Sequence, residues 1–395
     1  MEYRILIADD VEMNRILIID ILSRKLENAV FVEATNGKEV MDTVASQDID
    51  LIVLDLIMPV MDGFQVLKSM KSNEETADIP IIVSSAITEI SSIELTLKAG
   101  AMDYFTKPLS PNDMEIILPL KAKNALLFYE QQKTIAALNR EITEELKNAH
   151  DFQSIMLPKS RDFENMDLFI KYQPSLGIGG DCFDCFEHEG KMWFIIADVT
   201  GHGIAAGMAS SMVKILFRWA ASQEGMTPGK VLESINHRIF EIFDFDSMSN
   251  YLVFTAFVGA IDDGNLQYAN AGQPYPMIYH QASNEVEIIE DGGLACGMLD
   301  GIRFDDKGRQ LLPGDSIFLY TDGLFSSGQK KDFVNWKLVH EYVADHRHQI
   351  GEDPDAFMEG LFWYFHFIHK GEDKNHEHDF TDDVAMMLLK VRPKE

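Results

Sequence analysis

Over the first 118 residues, short runs that are apolar throughout alternate with segments of helical periodicity, and that alternation admits few architectures. The runs are Tyr3–Ala8, Val30–Val32, Leu51–Leu54, Ile81–Val83 and Asp103–Phe105. Between them lie Glu12–Lys25, Lys38–Ala45, Gly63–Lys71 and Ile90–Lys98, each long enough to cross back over a sheet. Connections of helix length join parallel strands, and strands without a polar face are covered on both sides. The expectation is a doubly wound, five-stranded parallel sheet whose ligands sit at the carboxyl ends of its strands.

From Pro111 to Met156 only Pro119 interrupts a helix-forming sequence, so a long helix kinked at Pro119 is expected. Ile135, Leu138, Ile142, Glu145, Ala149, Phe152 and Met156 step by three and four, the spacing of a coiled-coil seam with one charged misfit. The spacing fits a parallel dimer stalk or an amphipathic helix packed on a neighbouring domain. After Pro158 strand patterns (Leu168–Tyr172, Met192–Ala197, Tyr251–Ile261, Ile317–Tyr320) group with helices at Ile204–Ala221 and Pro228–Phe243. That grouping reads as an α+β two-sheet sandwich. The chain is thus a multidomain α/β protein with domains at 1–120, 121–158 (the helical coiled-coil linker) and 159–395.

Lys and Arg number 34 against 64 Asp and Glu, a net charge of −30 that repels phosphate backbones and anionic lipid heads. Nucleic acid and membrane are therefore not expected partners. The linker, with five basic and five acidic residues, separates two acidic lobes. No apolar run approaches membrane-spanning length, the chain opens on a strand pattern rather than an export signal, and three cysteines suit a reducing compartment. A cytoplasmic location is expected.

Asp9 and Asp10 end the first strand, Asp55 the third and Ser85 the fourth, and Lys107 follows the fifth. Three carboxylates on one sheet edge repel one another unless a hard cation such as Mg²⁺ neutralises them. Lys107 adds a point charge for a second anion, and the Ser85 hydroxyl can bond to it, a set suited to a phosphoryl group on a carboxylate. The segments Ala8-Asp9-Asp10, Leu54-Asp55-Leu56-Ile57-Met58-Pro59 with Asp62-Gly63, Val83-Ser84-Ser85-Ala86 and Asp103-Tyr104-Phe105-Thr106-Lys107-Pro108 resemble the receiver domain of bacterial two-component response regulators. The resemblance implies that Asp55 accepts phosphate from a sensor histidine kinase. It further implies that Asp9, Asp10, Asp55 and the Ile57 carbonyl hold Mg²⁺, and that Ser85 and Tyr104 form a switch pair drawn inward by phosphorylation.

A second acidic set lies at strand ends far apart in sequence: Asp181 after Gly179-Gly180, Asp198 in Asp-Val-Thr-Gly-His-Gly, Asp322 in Thr-Asp-Gly, and Asp382-Asp383 before Val384. Four convergent carboxylates again require cations, and a pair of divalent ions is the usual arrangement for phosphoryl hydrolysis. With the entry segment Ala149–Pro158 and Tyr268-Ala-Asn-Ala-Gly272, these positions resemble the metal-dependent type 2C (PPM) serine/threonine phosphatases, in the RsbU-related branch that dephosphorylates anti-sigma-factor antagonists. The resemblance implies two Mn²⁺ or Mg²⁺ ions, with Asp198 bridging them, the Val199 carbonyl on one, Asp322 and Asp382 on the other, and Asp181 acting through water. Asp198 and Asp322 would be the catalytic acids. Gln273 and Phe325-Ser326 depart from the branch's pattern without replacing a ligand.

Other features have plainer readings. Cys182 and Cys185 form a lone C-x-x-C whose members point to opposite faces of a strand, as packing cysteines do. His366, His369, His376 and His378 read as a solvated acidic loop rather than a metal site. His202 is a general acid for the leaving serine or a turn residue. Two functions fit: a response regulator whose Asp55 controls a phosphatase, or a phosphatase fold serving as a phosphorylation-controlled scaffold.

Overall fold

The computed structural model describes residues 2–86, 89–108, 110, 112–159, 161–175, 177–201, 203–242, 252–325, 336–370, 380 and 382–392. The chain divides into two compact units, Met1–Ile142 and Thr143–Glu395.

In the first unit β1 (Tyr3–Ala8), β2 (Ala29–Ala34), β3 (Leu51–Asp55), β4 (Ile81–Ser85) and β5 (Asp103–Thr106) alternate with α1 (Glu12–Lys25), α2 (Gly37–Ser46), α3 (Gly63–Lys71) and α4 (Ile90–Lys98). Every ladder is parallel and the order is β2-β1-β3-β4-β5, the doubly wound sheet expected of the alternation. β3 and β4 are buried at every position, as strands covered on both faces must be. Leu6, Ile52, Leu54 and Val83 pack with Val40 of α2 and with Val66 and Leu67 of α3. Their alternates Ile5, Ile7, Val53 and Ile82 pack with Ile18 and Leu22 of α1.

The second of these cores is completed by Leu118, Ala122, Ala125 and Leu126, from the start of α5 (Leu118–Met156). The expected kink at Pro119 takes another form. The helical run begins at Asn112, and the irregularity that Pro119 imposes lies directly before it, as a π-helical turn at Asp113–Ile117 that passes without a break into α5. Beyond Lys133, which pairs with Asp50, the heptad positions open to solvent: Ile135, Leu138 and Ile142 are 52, 52 and 56% exposed, and Phe152 is 66% exposed.

The second unit contains β6 (Arg161–Asp162), β7 (Met166–Gln173), β8 (Asp181–His188), β9 (Lys191–Val199), α6 (Ile204–Ala221), α7 (Pro228–Ile242), β10 (Phe254–Asp262) and β11 (Asn265–Ala271). It continues with β12 (Met277–His280), β13 (Glu285–Ile288), β14 (Lys307–Gln310), β15 (Ser316–Tyr320), α8 (Trp336–Glu352), α9 (Pro354–Lys370) and β16 (Val384–Val391). Two antiparallel sheets, β14-β11-β10-β9-β8 and β13-β12-β15-β16-β7-β6, enclose a core that includes Phe194, Phe257, Tyr268, Leu319 and Met387. α6 and α7 cover the first sheet through Val213, Phe217, Val231 and Ile235, while α8 and α9 cover the second through Val339, Val343, Phe357 and Phe365. The expected α+β sandwich is thus four layers deep, and no described helix is long and apolar enough to cross a membrane.

Strand alternation explains the cysteines. Cys182 faces the helices and Cys185 the opposite sheet, and burial pushes the Cys182 thiol up to about 12, so it stays protonated and inert. The solvated loop expected from His366 is not what forms there. His366 lies in α9 and is 4% exposed, against Phe362, Trp363 and Phe380. The His369 side chain, His376, His378, His202 and Ser326 lie outside the described residues.

The same alternation turns Asp184 toward α6, where its fully buried carboxylate accepts from Lys214 Nζ at 2.7 Å and from Arg218 at 2.5 and 2.9 Å. Removing one member of a buried ion group leaves the rest uncompensated. Asp184→Ala is expected to cost the second unit about 3 kcal/mol in urea unfolding, at the low end for a buried pair because Arg218 is 48% exposed. A loss under about 1 kcal/mol would mean that the group behaves as a surface pair.

Candidate active sites

At the carboxyl edge of the parallel sheet, Asp9 is 1% exposed and follows directly on β1. Its Oδ1 accepts from the Val11 N–H at 2.9 Å and from Asn14 Nδ2 at 3.0 Å, and its Oδ2 accepts from Lys107 Nζ at 2.5 Å. Lys107 also donates to Asp55 Oδ2 at 2.7 Å, while the Ile57 N–H donates to Asp55 Oδ1 at 3.3 Å. Ligand atoms of Asp9, Asp10 and Asp55 all lie within 4.8 Å of one another. Burial raises the Asp55 carboxyl above its ordinary range, Asp9 adds to the rise, and Lys107 opposes it. One ammonium against three carboxylates leaves the cluster net negative, so its oxygen-only donor set fits a hard divalent cation.

Glycine makes this edge possible at Asp62-Gly63. A Cβ on Gly63 would fall 2.1 Å from the Asp55 carbonyl oxygen, so only glycine lets α3 start against the end of β3. Ser85 is fully buried, and the Lys107 N–H donates to its carbonyl at 2.9 Å. Tyr104 is 8% exposed and already packed in the sheet's core beside Ala101.

The second acidic set gathers at one end of the sandwich. Asp181 and Asp198 are cross-strand partners on β8 and β9. Asp181 shares its strand face with Phe183, Asp198 with Ile196, Thr321 with Leu319 and Asp383 with Ala385, so all four project between the sheets. Thr321 Oγ1 donates to Asp181 Oδ2 at 2.8 Å and accepts from the Ala385 N–H at 2.9 Å. The other Asp181 oxygen is buried with no hydrogen-bond partner. Asp322, opening a short 3₁₀ turn, hydrogen-bonds Asp198. The Asp382 carboxylate accepts from the Asp383 N–H at 2.9 Å.

Asp383 entered the sequence reading only as half of the Asp382-Asp383 doublet and was given no role. Its Oδ1 accepts from the Ser175 N–H at 2.7 Å and Ser175 Oγ at 3.0 Å, and its Oδ2 from the Gly180 N–H at 2.6 Å. Period-two alternation from Ala385 back to Asp383 was the signal that could have found it. Gln273, where the pattern departs, is 4% exposed, with its N–H donating to Asn270 Oδ1 at 2.8 Å.

Burial first, and neighbouring carboxylates second, push Asp198 up to about 9 and hold Asp181 well above the usual carboxylate range. A set of mutually destabilised acids, one with an orphaned buried oxygen, fits bound cations.

The family model described as Stage II sporulation protein E (SpoIIE) matches residues 188–392, just over half of the chain. The chain belongs to the SpoIIE phosphatase family. A second model, response regulator receiver domain, matches residues 5–118, so the parallel sheet with the Asp9, Asp55 and Lys107 edge is a receiver domain. The chain is 25% identical over 219 residues to "Phosphoserine phosphatase RsbU" of Bacillus subtilis (strain 168), covering 55% of this chain and 64% of that protein's length. It is 33% identical over 126 residues to "Sporulation initiation phosphotransferase F" of the same organism, covering 31% of this chain and 98% of the relative. The solved SiaA-PP2C domain of Pseudomonas aeruginosa shares the fold at a TM-score of 0.51 and 19% identity, over 65% of this chain and 99% of that one. The SpoIIE-family domain therefore sits on a PP2C sandwich with its acids at one end, joined in sequence to a receiver.

The raised Asp198 gives the SpoIIE-family domain a pH signature. Between the ordinary Asp value of 3.8 and about 9, the folded, chelator-treated chain holds a proton that the unfolded chain has released. Its contribution to stability is therefore lost progressively as pH rises through that window. Without metal, wild type should lose melting temperature relative to Asp198→Asn between pH 5 and pH 8.5 (about the span of that window), and Mn²⁺ should restore it. Parallel profiles for the two proteins would contradict the buried, repelled carboxylate.

Proposed function

We propose that this protein is a response regulator in which phosphorylation of Asp55 controls a metal-dependent protein serine/threonine phosphatase. The receiver occupies 1–120, the linker 121–158 and the phosphatase 159–395. A sensor histidine kinase is the phosphodonor, and the substrate is a phosphorylated protein of the anti-sigma-factor-antagonist type in a cytoplasmic partner-switching pathway. RsbU, whose name states a phosphoserine phosphatase, supports the substrate class. The single observation that carries the reading is the convergence of Asp181, Asp198, Asp322 and Asp382 at one end of the sandwich, with the orphaned Asp181 oxygen among them.

In the receiver, Asp9, Asp10, Asp55 and the Ile57 carbonyl would hold Mg²⁺. Lys107 lies within hydrogen-bond reach of Asp55, so its ammonium is in place to offset charge on a phosphoryl group there. Ser85 and Tyr104 form the switch pair, with Tyr104 already on the inward side. In the phosphatase, Asp198, Asp322, Asp382, Asp181 and the Val199 carbonyl would hold two Mn²⁺ or Mg²⁺ ions. Such ions supply charge neutralisation at the transferred phosphoryl group and a nucleophilic water at neutral pH. Thr321 fixes the Asp181 rotamer from one side, and Asp383 fixes the Gly180 backbone that precedes it. Asp181 is thereby held before substrate arrives, and such preorganisation is where electrostatic catalysis gains most.

Phosphate release from a phosphoserine-bearing antagonist protein, followed with Mn²⁺ and with or without acetyl phosphate, tests the reading. Asp198→Asn and Asp322→Asn should each lower turnover by at least ~100-fold, the scale of losing a principal electrostatic stabiliser. Asp55→Asn should abolish the response to the phosphodonor. Near wild-type turnover in both phosphatase variants would leave the scaffold reading in its place.

The exposed stripe of α5 supports a homodimer through the linker helix. Ile135, Leu138, Ile142 and Phe152 are open to solvent, and the exposed Glu145 interrupts the seam. A charge at a core position weakens one pairing register, so Glu145→Leu should strengthen dimerisation in analytical ultracentrifugation and make turnover less dependent on Asp55. A chain that stays monomeric in both phosphorylation states, yet regulated, would rule the stalk out.

A further inference from the structure

The loop from β11 to β12 carries an orphaned acceptor of its own beside the acidic end of the sandwich. β9 and β11 run the same way on either side of β10, so the chain after Ala271 emerges at the end where Asp198 lies. β12 belongs to the other sheet and begins beside Phe318 of β15, so residues 272–276 cross from sheet to sheet at that end. Gln273, within this crossing, is buried, and its Oε1 has no hydrogen-bond partner. One side chain holds its backbone: the Gln273 N–H donates to Asn270 Oδ1 at 2.8 Å, and its carbonyl accepts from Asn270 Nδ2 at 3.2 Å. Two residues on, His340 hydrogen-bonds the Tyr275 backbone, and the Trp336 ring packs edge-on against Tyr275 at 5.0 Å. A loop pinned on both sides leaves Gln273 little freedom to turn its amide out to water.

The amide lies against the strand next to Asp198. Gln273 Nε2 is 3.5 Å from the Thr255 carbonyl, and Thr255 is the cross-strand partner of Asp198 from β10. Asp181 is its partner from β8, on the other side. Each strand that flanks Asp198 thus leads to a buried oxygen with no donor: Asp181 Oδ1 itself, and Gln273 Oε1 against Thr255. A buried acceptor left unfilled is costly, and such an atom in a folded chain marks a place for an ion or for water. Two of them bracketing a carboxylate that is itself short of counter-charge call for positive charge and strong donors, and a hydrated divalent cation brings both.

We propose that Gln273 is a positioning residue of the cation site, its Oε1 accepting a hydrogen bond from the hydration shell of an ion held at Asp198. The inference rests on the phosphatase reading above and adds a neutral outer partner to the acids that would hold its cations. Asn270 and the Tyr275 anchor set the place of Gln273 before an ion arrives, so the acceptor is preorganised. Gln273 touches no reacting atom.

Gln273→Met keeps the length and bulk of the side chain and removes the acceptor, whereas Gln273→Glu keeps the length and puts a charge on it. Mn²⁺ binding to the chelator-treated full chain would be followed by calorimetry at about pH 8, above the ordinary carboxyl range. The sandwich class of sites is the class lost in Asp198→Asn, and the Asp9/Asp10/Asp55 cluster serves as an internal reference. The Mn²⁺ concentration for half-maximal hydrolysis of p-nitrophenyl phosphate would be measured alongside. Gln273→Met should weaken the sandwich class about tenfold, the low end for an outer partner of a bound ion, and raise that concentration to match. Gln273→Glu should tighten the same class by a similar factor, because a charge now faces the ion. A side chain that only fills space would not shift affinity in opposite directions. Wild-type Mn²⁺ affinity in a folded Gln273→Met, or weaker binding in both variants, overturns the proposal. If Gln273→Met fails to fold, a folded Gln273→Glu that binds Mn²⁺ no more tightly than wild type overturns it equally. Opposite affinity shifts in a chain whose wild type releases no phosphate would instead overturn the phosphatase reading and leave the positioning role standing.

Discussion

Carboxylates crowded at strand ends are the liability around which both units are arranged. In the receiver, Lys107 spans Asp9 and Asp55 and offsets part of the repulsion. In the SpoIIE-family domain the compensation comes from neutral donors: Thr321 on Asp181, and Ser175 with Gly180 on Asp383. Neutral donors do not cancel charge, so Asp198 and Asp181 stay poised to keep protons or exchange them for cations. Energy that a hydrophobic sandwich end would have contributed to stability is spent on a site.

That cost is borne by ordinary packing elsewhere. The two sheets bury Phe194, Phe257 and Tyr268 between them, and the outer helices seal the opposite faces. The buried Asp184, Lys214 and Arg218 group fastens α6 to β8, the strand that begins at Asp181. α6 and α5 meet the same backbone atom through Ser210 and Gln153, so the helix after the Asp198 loop and the linker helix are held in one hydrogen-bonded cluster. The opposite flank of α5 carries the exposed Phe152 and Ile155.

Much of this was legible in the sequence because period and punctuation agree. Uniformly apolar runs such as Leu51–Leu54 that alternate with helical segments read as buried parallel strands, and acids that directly follow such runs land on one edge. The acids of the sandwich were legible for the same reason, each standing beside a strand. Illegible features depend on which side of a backbone faces which neighbour. The Asp382-Asp383 doublet does not say which carboxylate is consumed by Ser175 and Gly180, and Gln153 in a helical run does not advertise a backbone partner 26 residues away. The end of α9 was misread because His366 and the histidines and acids after it suggested a solvated loop, whereas His366 is held by aromatic packing. Pro119 marked the irregularity in the linker helix without giving its form, a π-helical turn at Asp113–Ile117 directly before it.

Proton release on cation binding probes the repelled carboxylates most directly. With Asp198 at about 9, the chelator-treated chain carries that proton at pH 7, and a cation must expel it to bind. Calorimetric Mn²⁺ titrations at pH 7 in buffers of different ionisation enthalpy should therefore report release of at least about one proton per chain, diminished in Asp198→Asn. Binding with no proton released, or release undiminished in that variant, would contradict a sandwich end built on protonated carboxylates awaiting cations.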